Sequence, residues 1–317
     1  MEDQKNRLLT DDGGLSKFIN TRSSNMDKLL EFVKNHIDKG SESIALCFRG
    51  DNICLYYRCH KLLQIKAVYS RIVGEFSFRH SRFTEQYKTK EKELRELGVE
   101  NLNEDNGYET LARFYFDKDT PQKLFKILDI YKGLIDDFVN PTMYVYQWKG
   151  PHDKPEPKTE KKNKSANLEK DVQQKIYSDW FQNDQAMIYD IEYIEHRGSD
   201  YGVKGRIDLL GLVNEGNQTY LEFIELKSTP WACVDSNAGV ESHLVEYKKY
   251  VGVNELIEQR KQEAVATVEQ LQKLFPDLIK FKPISDEIQV RIRFIFSHEA
   301  KQYRYLAEGQ GVEITEI

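Results

Sequence analysis

The segment 205–227 constrains the fold of this chain more than any other. Two apolar runs, Gly205–Val213 and Thr219–Lys227, flank the sequence Asn214-Glu215-Gly216-Asn217. Asn and Gly tolerate the left-handed backbone of a tight turn, and both runs are rich in branched or aromatic side chains. The pattern therefore predicts an antiparallel β-hairpin. We expect the turn to be centred near Glu215–Gly216.

The charged residues near the open end of this hairpin fall on one face. With the turn so placed, Asp208 lies opposite Phe223, and Glu225 lies diagonally from Asp208 at roughly 7–8 Å. Glu225 and Lys227 share that face because strand side chains alternate with a period of two. Glu222 has the other parity, so we expect its side chain to point away.

Charged groups at the end of buried strands are costly to desolvate unless they are paired or bind a metal. Asp208 and Glu225 would repel each other, and a hard divalent cation relieves that repulsion while taking oxygen ligands. The Leu226 carbonyl offers a further oxygen. Lys227 would then lie where it can orient or deprotonate a water for phosphodiester hydrolysis. The alternative is a surface hairpin with an Asp and an incidental Glu–Lys pair.

A segment rich in proline and lysine, Lys149–Lys164, divides the chain. Its three prolines and its lack of apolar periodicity are typical of an exposed linker. Residues 1–148 are expected to form an α+β domain for recognition or assembly, with three or four antiparallel strands within residues 43–80. Its predicted helices are Asn25–Asp38, Glu85–Leu97 and Pro121–Phe138.

In residues 165–317 the periodicity predicts helices alternating with strands. The predicted helices are Leu168–Phe181, Ser242–Tyr250 and Asn254–Phe275. The predicted strands are Ala186–His196, Gly205–Val213, Thr219–Lys227 and Glu287–Ser297. This gives an α/β domain that begins with a helix and a three-stranded meander.

The order of helix, three-stranded meander, helix and further strand, with the motif Asp208, Glu225 and Lys227, resembles the PD-(D/E)XK nuclease superfamily over about half of the chain. The resemblance implies a restriction-endonuclease-like mixed-sheet core, with these three residues as catalytic residues. It also implies that Asp208, Glu225 and Leu226 bind Mg²⁺, with Mn²⁺ as the alternative. Ile207 stands where the family often has proline.

Members of this superfamily often carry a glutamate on the leading helix. The sequence Leu168–Gln174 is similar to that motif, which makes Glu169 the candidate third metal ligand. The alternative is an ordinary solvated helix residue, and Glu192 and Glu195 are weaker competitors. Many members also place Gln-x-x-x-Tyr on the helix after the lysine.

At the corresponding positions this chain has His243 and Tyr247. One turn of helix separates them, so they share a helical face, and the resemblance makes them candidates for nucleic-acid contact. The histidine departs from the family's glutamine. Tyr247 could instead be a core residue.

A second candidate surface for nucleic acid lies in residues 53–83. Basic residues are concentrated there, and aromatic residues are interleaved with them, which suits phosphate contact and base stacking. The candidate phosphate-binding residues are Arg58, Lys61, Arg79 and Arg82. The alternative is a sheet with a polar outer face and an aromatic core.

The cysteines do not predict a disulfide framework or a metal site. Cys47, Cys54 and Cys59 lie within apolar strands at a spacing unlike that of zinc knuckles, and Cys233 is remote in sequence. We expect buried free cysteines. Some members of the superfamily carry an iron–sulfur cluster, but their cysteine arrangement does not match this one.

The function expected from these observations is Mg²⁺-dependent cleavage of DNA, with RNA as the alternative, in a bacterial antiviral or restriction system beside a partner such as a helicase or sensor. The net charge of −6 excludes a generic DNA-coating protein but not a nuclease. No apolar run is long enough for a membrane span. The N-terminal sequence also lacks the apolar run of a signal peptide, so we expect a cytoplasmic protein. Assembly as a homo-oligomer is left open.

Two rival functions remain at this point. The chain could be a binding or assembly subunit that keeps the nuclease fold as a scaffold. The N-terminal domain could also be a sensor that keeps the nuclease idle until a partner acts.

Overall fold

The structure is a computed structural model. It describes residues 8–9, 16–20, 27, 31, 34–35, 44–68, 71–79, 90, 92–97, 109–115, 120–139, 160–181, 183–194, 201–203 and 206–317. Within these residues the protein has mixed α/β content and two five-stranded sheets. No helix in the described part is long and apolar enough to cross a membrane.

The first sheet is antiparallel and its strands follow chain order. They are β1 (Ile44–Arg49), β2 (Asn52–Tyr57), β3 (His60–Val68), β4 (Arg71–Arg79) and β5 (Glu109–Tyr115). Four strands lie within residues 43–80, where three or four were expected. Gly50, in the turn between β1 and β2, has a φ of 58°. The fifth strand was not predicted, because its pairing with β4 spans a long stretch of chain.

Two helices accompany this sheet. They are α1 (Ser16–Asn20) and α2 (Pro121–Val139). The prediction for α2 is confirmed to within one residue. In the two other predicted helices, the described positions 27, 31, 34 and 35 and the positions 90 and 92–96 are helical, while Leu97, the last residue of the second, lies in a turn.

The second sheet is mixed and has the order β10-β9-β8-β7-β6. Its strands are β6 (Ala186–Ile194), β7 (Arg206–Glu215), β8 (Gln218–Lys227), β9 (Ile288–Phe296) and β10 (Glu313–Glu316). The first three form an antiparallel meander, β9 pairs with β8 in parallel, and β10 pairs with β9 in parallel. The edge strand β10 was not predicted because it has only four residues.

The helices of this half are α3 (Glu160–Phe181), α4 (Pro230–Val234), α5 (Val240–Val251) and α6 (Asn254–Leu274), followed by a 3-10 helix at Lys301–Leu306. The predicted start of α3 at Leu168 is wrong, because the helix begins at Glu160. The last proline of the predicted linker is Pro157, and the Glu, Lys and Ala residues after Glu160 favour helix. The linker residues 149–159 lie outside the described residues.

The two sheets share one hydrophobic core. Tyr177 of α3 accepts a hydrogen bond from the Leu46 amide at 2.9 Å and donates one to the Leu46 carbonyl at 2.7 Å. Arg49 of β1 pairs with Asp190 and donates to the Ile191 carbonyl of β6 at 2.9 Å. These contacts hold the first sheet against the helix and strand that precede the predicted hairpin.

Candidate active site

The register of the β7–β8 hairpin decides which side chains meet. Glu215 pairs with Gln218, and the ladder continues to Leu209 opposite Ile224. The turn is therefore Gly216-Asn217, one residue later than predicted, and Phe223 faces Leu210 rather than Asp208. When the turn moves by one residue, the partner of each β7 residue moves by two positions along β8. In the corrected register the position opposite Asp208 is Glu225.

Glu225 is buried and held by three side chains. Its Oε1 accepts a hydrogen bond from Lys227 Nζ at 2.6 Å and contacts His243 Nδ1, and its Oε2 accepts from the Tyr247 hydroxyl at 2.6 Å. Burial by itself would raise the pKa of Glu225, but the charge of Lys227 and the hydrogen bond with His243 lower it to about 2. Glu225 is thus a carboxylate at neutral pH.

Asp208 lies at the open end of the β7–β8 ladder. Its Oδ2 accepts a hydrogen bond from the Leu226 amide at 2.9 Å. Burial, the charge of Glu225 and then that of Glu169 raise the pKa of Asp208 well above its usual value, against the opposing Leu226 hydrogen bond. Since the N–H and C=O of one strand residue point to the same side, the Leu226 carbonyl also points toward β7.

Lys227 is 2% exposed and its ammonium lies among three acceptor groups. Besides Glu225, it donates to the Ala238 carbonyl at 2.8 Å and lies 3.3 Å from His243 Nδ1. The tight loop before α5 presents that carbonyl. Gly239 is required there, because an added Cβ would lie 2.3 Å from the Asp235 carbonyl.

Glu169 on α3 is the third predicted carboxylate. Its Oε2 lies 3.5 Å from the Ser228 hydroxyl, one residue beyond Lys227. Burial and the charge of Glu225 raise the pKa of Glu169. Its weaker competitor Glu192 instead accepts a hydrogen bond from Arg206 at 2.7 Å.

Glu195, the other competitor, lies outside the described residues. Arg206 itself is half exposed and was not predicted. Its guanidinium gives the neighbourhood of Asp208 and Glu169 a cation that solvent can reach.

His243 and Tyr247 both lie on α5 and both reach Glu225. Their rings stack at 6.0 Å between centroids. Tyr247 is 2% exposed, so its ring is a core residue while its hydroxyl holds the carboxylate. Contact of His243 and Tyr247 with nucleic acid stays a prediction.

No three His, Cys, Asp or Glu side chains in the described part of the chain form a ready-made metal-ligand group. The chemistry of the donor set nevertheless fits Mg²⁺. Asp208 and Glu225 are both buried at the open end of the hairpin. Burial and then the charge of Glu225 raise the pKa of Asp208, and a divalent cation relieves such repulsion between carboxylates. Oxygen donors from Asp208, Glu225 and the Leu226 carbonyl are the type that Mg²⁺ prefers.

The predicted nucleic-acid residues of the first sheet are placed differently. Arg58 is committed to two carboxylates, because it binds Asp171 through two hydrogen bonds of 2.7 Å and Asp136 through one of 3.1 Å. Lys61 donates to Gln64 at 3.3 Å. Arg82 and the Arg79 side chain lie outside the described residues.

The aromatic residues of that segment include core residues. Tyr57 and Phe76 are buried, and Phe76 stacks on Tyr131 of α2 at 4.7 Å. The alternative of a polar outer face over an aromatic core describes these two positions. Cys47, Cys54, Cys59 and Cys233 are buried and form no disulfide, as predicted.

Besides Arg206, three residues that shape the site were not predicted from the sequence. Gln173 Nε2 donates to the Asp208 carbonyl, Ser228 contacts Glu169, and the Ala238 carbonyl holds Lys227. Gln173 follows Glu169 by one helical turn, so a search for polar residues on the Glu169 face of α3 could have found it. The role of Ala238 is carried by its backbone and leaves no sequence signal.

Comparison with protein-family models, with curated proteins and with solved structures finds no match.

Proposed function

We propose that this chain is a metal-dependent nuclease that hydrolyses phosphodiester bonds. The observation that carries the proposal is the meeting of two buried carboxylates, Asp208 and Glu225, at the open end of a strand ladder beside the buried ammonium of Lys227. Two like charges in a low dielectric are stable together when a cation joins them. Asp208, Glu225 and the Leu226 carbonyl are the proposed metal ligands, and Glu169 is the proposed third carboxylate.

The order of elements supports the same proposal. Helix α3 precedes the β6–β8 meander, and the helices α4–α6 connect it to β9, which lies parallel to β8. This is the order of the PD-(D/E)XK core that the sequence motif resembles. We therefore propose a restriction-endonuclease-like fold for this half of the chain.

The residues around the carboxylates have separate tasks. When bound, Mg²⁺ or Mn²⁺ supplies Lewis acidity that neutralises charge on the phosphate and activates water. Lys227 holds a positive charge beside the reacting phosphate, and its anchors are Glu225 and the Ala238 carbonyl. Its 3.3 Å contact with His243 is the longest of the three, so a phosphate oxygen or the attacking water replaces that one.

The wider role rests on the superfamily resemblance alone. We propose DNA as the substrate, with RNA as the alternative, and work in antiviral defence or restriction beside a partner protein. Arg206 offers an exposed guanidinium for the phosphate backbone close to the carboxylates.

Cleavage assays with the full chain test the proposal. Labelled single-stranded and duplex DNA and RNA are incubated with Mg²⁺, with Mn²⁺ or with a chelator. We expect cleavage that needs the metal, and a loss of about 10³-fold or more in Asp208→Asn, Glu225→Gln and Lys227→Met. Glu215→Gln removes an exposed carboxylate at the far end of the same hairpin and should leave cleavage unchanged.

Metal-dependent cleavage that survives these three substitutions would contradict the site. Failure of the wild-type chain to bind Mg²⁺ or Mn²⁺ in calorimetry would contradict the function as well. Both results concern the folded protein, so circular dichroism of each variant is needed beside them.

A nucleic-acid-binding or assembly subunit is the second candidate. It is favoured by the contacts of Glu225, whose two oxygens are both engaged by side chains. In that case the Glu225–Lys227 pair is structural. Strand binding without cleavage under any metal, unchanged in Glu225→Gln, would decide for this candidate.

A further inference from the structure

The turn between β2 and β3 has an unusual backbone. Tyr57 pairs with His60, so Arg58 and Cys59 alone form the turn. Their φ angles are 47° and 57°, the left-handed values that a two-residue hairpin turn of this kind needs. Asn and Gly normally fill such positions, and larger side chains are strained there. Strained residues persist where surrounding contacts hold them, and this turn has such contacts.

The turn docks on helix α3. Arg58 binds Asp171 with both hydrogen bonds of a guanidinium fork. The Cys59 amide donates to Gln174 Oε1 at 3.3 Å. The Cys59 thiol lies 3.1 Å from Gln173 Oε1 and 3.6 Å from the Lys170 carbonyl. Every one of these contacts falls within the helical turn that follows Glu169.

Gln173 connects the β2–β3 turn to the candidate site. It is 1% exposed, its Oε1 faces the Cys59 thiol, and its Nε2 donates to the Asp208 carbonyl. A side chain fixed at both ends in this way holds the backbone on which the Asp208 carboxylate is mounted.

The backbone at Asp208 needs such a support because the sheet is interrupted there. In the β6–β7 ladder Ile191 lies opposite Leu209 and Tyr193 opposite Ile207, and no ladder pair forms at Asp208. Glu192, between Ile191 and Tyr193, has a left-handed φ of 51°. On the other side the β7–β8 ladder ends at Leu209. Gln173 binds the Asp208 carbonyl at this interruption.

We infer that the β2–β3 turn and Gln173 are positioning elements for Asp208, so that the first sheet sets the geometry of the candidate metal site in the second. The inference rests on the proposed function only where it treats Asp208 as a metal ligand. The mechanical link from Cys59 through Gln173 to Asp208 stands on the contacts themselves.

Two neighbouring glutamines provide a matched test. Gln173 and Gln174 are both buried on α3 and both contact Cys59, but the contact with Asp208 belongs to Gln173. Gln173→Met and Gln174→Met remove the same chemical group at adjacent positions. The metal-free readout is hydrogen exchange at the Leu226 amide, because that amide donates to the Asp208 carboxylate.

We expect Gln173→Met to speed exchange at Leu226 by about tenfold or more and to weaken Mg²⁺ binding by about 10- to 100-fold in calorimetry. Both variants should lower the melting temperature by similar amounts. Gln174→Met, however, should leave Leu226 exchange and Mg²⁺ affinity near their wild-type values. Equal Leu226 exchange in the two variants, whether slow or fast, would overturn the inference.

Variants of Cys59 test the same chain of contacts, from Cys59 through Gln173 to Asp208, at its other end. They keep the test available if Gln173→Met does not fold. Cys59→Ala removes the partner of Gln173, and Cys59→Ser keeps a hydrogen-bond donor in place. We expect faster Leu226 exchange in the alanine variant and a return toward wild type in the serine variant. The same exchange rate in both would also overturn the inference.

The two proposals fail in different ways. If the wild-type chain binds no Mg²⁺, the nuclease proposal falls, and the Leu226 exchange rates still decide whether Gln173 positions Asp208. If Mg²⁺ binds and depends on Asp208 while Gln173→Met has no effect on either readout, only the positioning role falls.

Discussion

Strand β8 buries one glutamate on each of its faces, and the two differ in their surroundings. Glu222 is fully buried and binds Arg293 through two hydrogen bonds of 2.7 Å, with Arg291 beside it. Glu225 is 2% exposed and binds Lys227, His243 and Tyr247. Burial of a carboxylate is therefore common to both faces and does not mark a site.

The two faces of β8 differ in the charged residues that surround each glutamate and its direct partners. On the Glu222 face, two arginines of β9 meet Glu222 and the exposed Glu215. On the other face, Asp208 and Glu169 lie close enough to Glu225 for its charge to raise their pKa values. One face is balanced by fixed cations, and the other carries an excess of carboxylate that a bound cation would balance.

The largest expected effect on stability comes from removing the charge of Glu222, which the arginines of β9 balance. Glu222→Gln leaves the partly buried Arg293 without its carboxylate and Arg291 with the exposed Glu215 alone, so we expect the free energy of unfolding to fall by about 3–5 kcal/mol. Urea unfolding measures it. Mg²⁺ affinity of the folded variant should stay unchanged, and a parallel loss of affinity would show that the faces are not independent.

Hydroxyl groups that support each glutamate offer a matched comparison. Tyr247→Phe keeps the buried ring and removes the hydrogen bond to Glu225, so we expect Mg²⁺ affinity to fall by about 10- to 100-fold. Thr315→Val removes the 2.7 Å hydrogen bond from Arg293 on the Glu222 face. That variant should lose about 1 kcal/mol of stability and no affinity.

The excess carboxylate also predicts how metal binding depends on pH. The pKa values of Asp208 and Glu169 are raised, so both carboxyls retain protons to a higher pH than ordinary ones and must release them to bind a cation. Mg²⁺ affinity should rise with pH by up to about tenfold per unit for each proton released. Calorimetry in buffers of different ionisation heat counts the protons, and Glu169→Gln should reduce that count.

The smallest expected effect has the opposite sign to that of Glu222→Gln. The pKa of Asp208 is raised in the folded protein, so its ionisation opposes folding. This cost is absent below the pKa of the unfolded chain, grows as the pH rises between the unfolded and folded pKa values, and is complete above the folded pKa. Asp208→Asn should therefore raise the free energy of unfolding by about 1 kcal/mol at pH 8 and have little effect at pH 4. Unfolding at the two pH values measures it, and lower stability at pH 8 would contradict the comparison.

Much of this arrangement could be predicted from the sequence. The hairpin, the strands around it and the helices α5 and α6 follow from turn residues and apolar periodicity, and their bounds agree within one to two residues at most ends. The start of α3 and the strand β10 could not be predicted in the same way, since short or lysine-rich segments show little periodicity. The strand β5 was not predicted because its pairing with β4 spans a long stretch of chain.

The candidate site, like the fold, could be predicted from the sequence only in part. A period of two puts Asp208, Glu225 and Lys227 on one face and Glu222 on the other, and this parity survives the error in the predicted turn because the register changed by two residues. The register that places Glu225, rather than Phe223, opposite the position of Asp208 could not be predicted, because it depends on which residue begins the turn.

The sequence alone thus determined which residues share the face of β8, since alternation along a strand is a local property of the backbone. Only the tertiary structure decided what meets them there. His243 and Tyr247 reach Glu225 through helix packing, Gln173 reaches Asp208 across an interrupted sheet, and Cys59 joins that contact from the other half of the chain. Such contacts join residues far apart in sequence, and no local pattern records them.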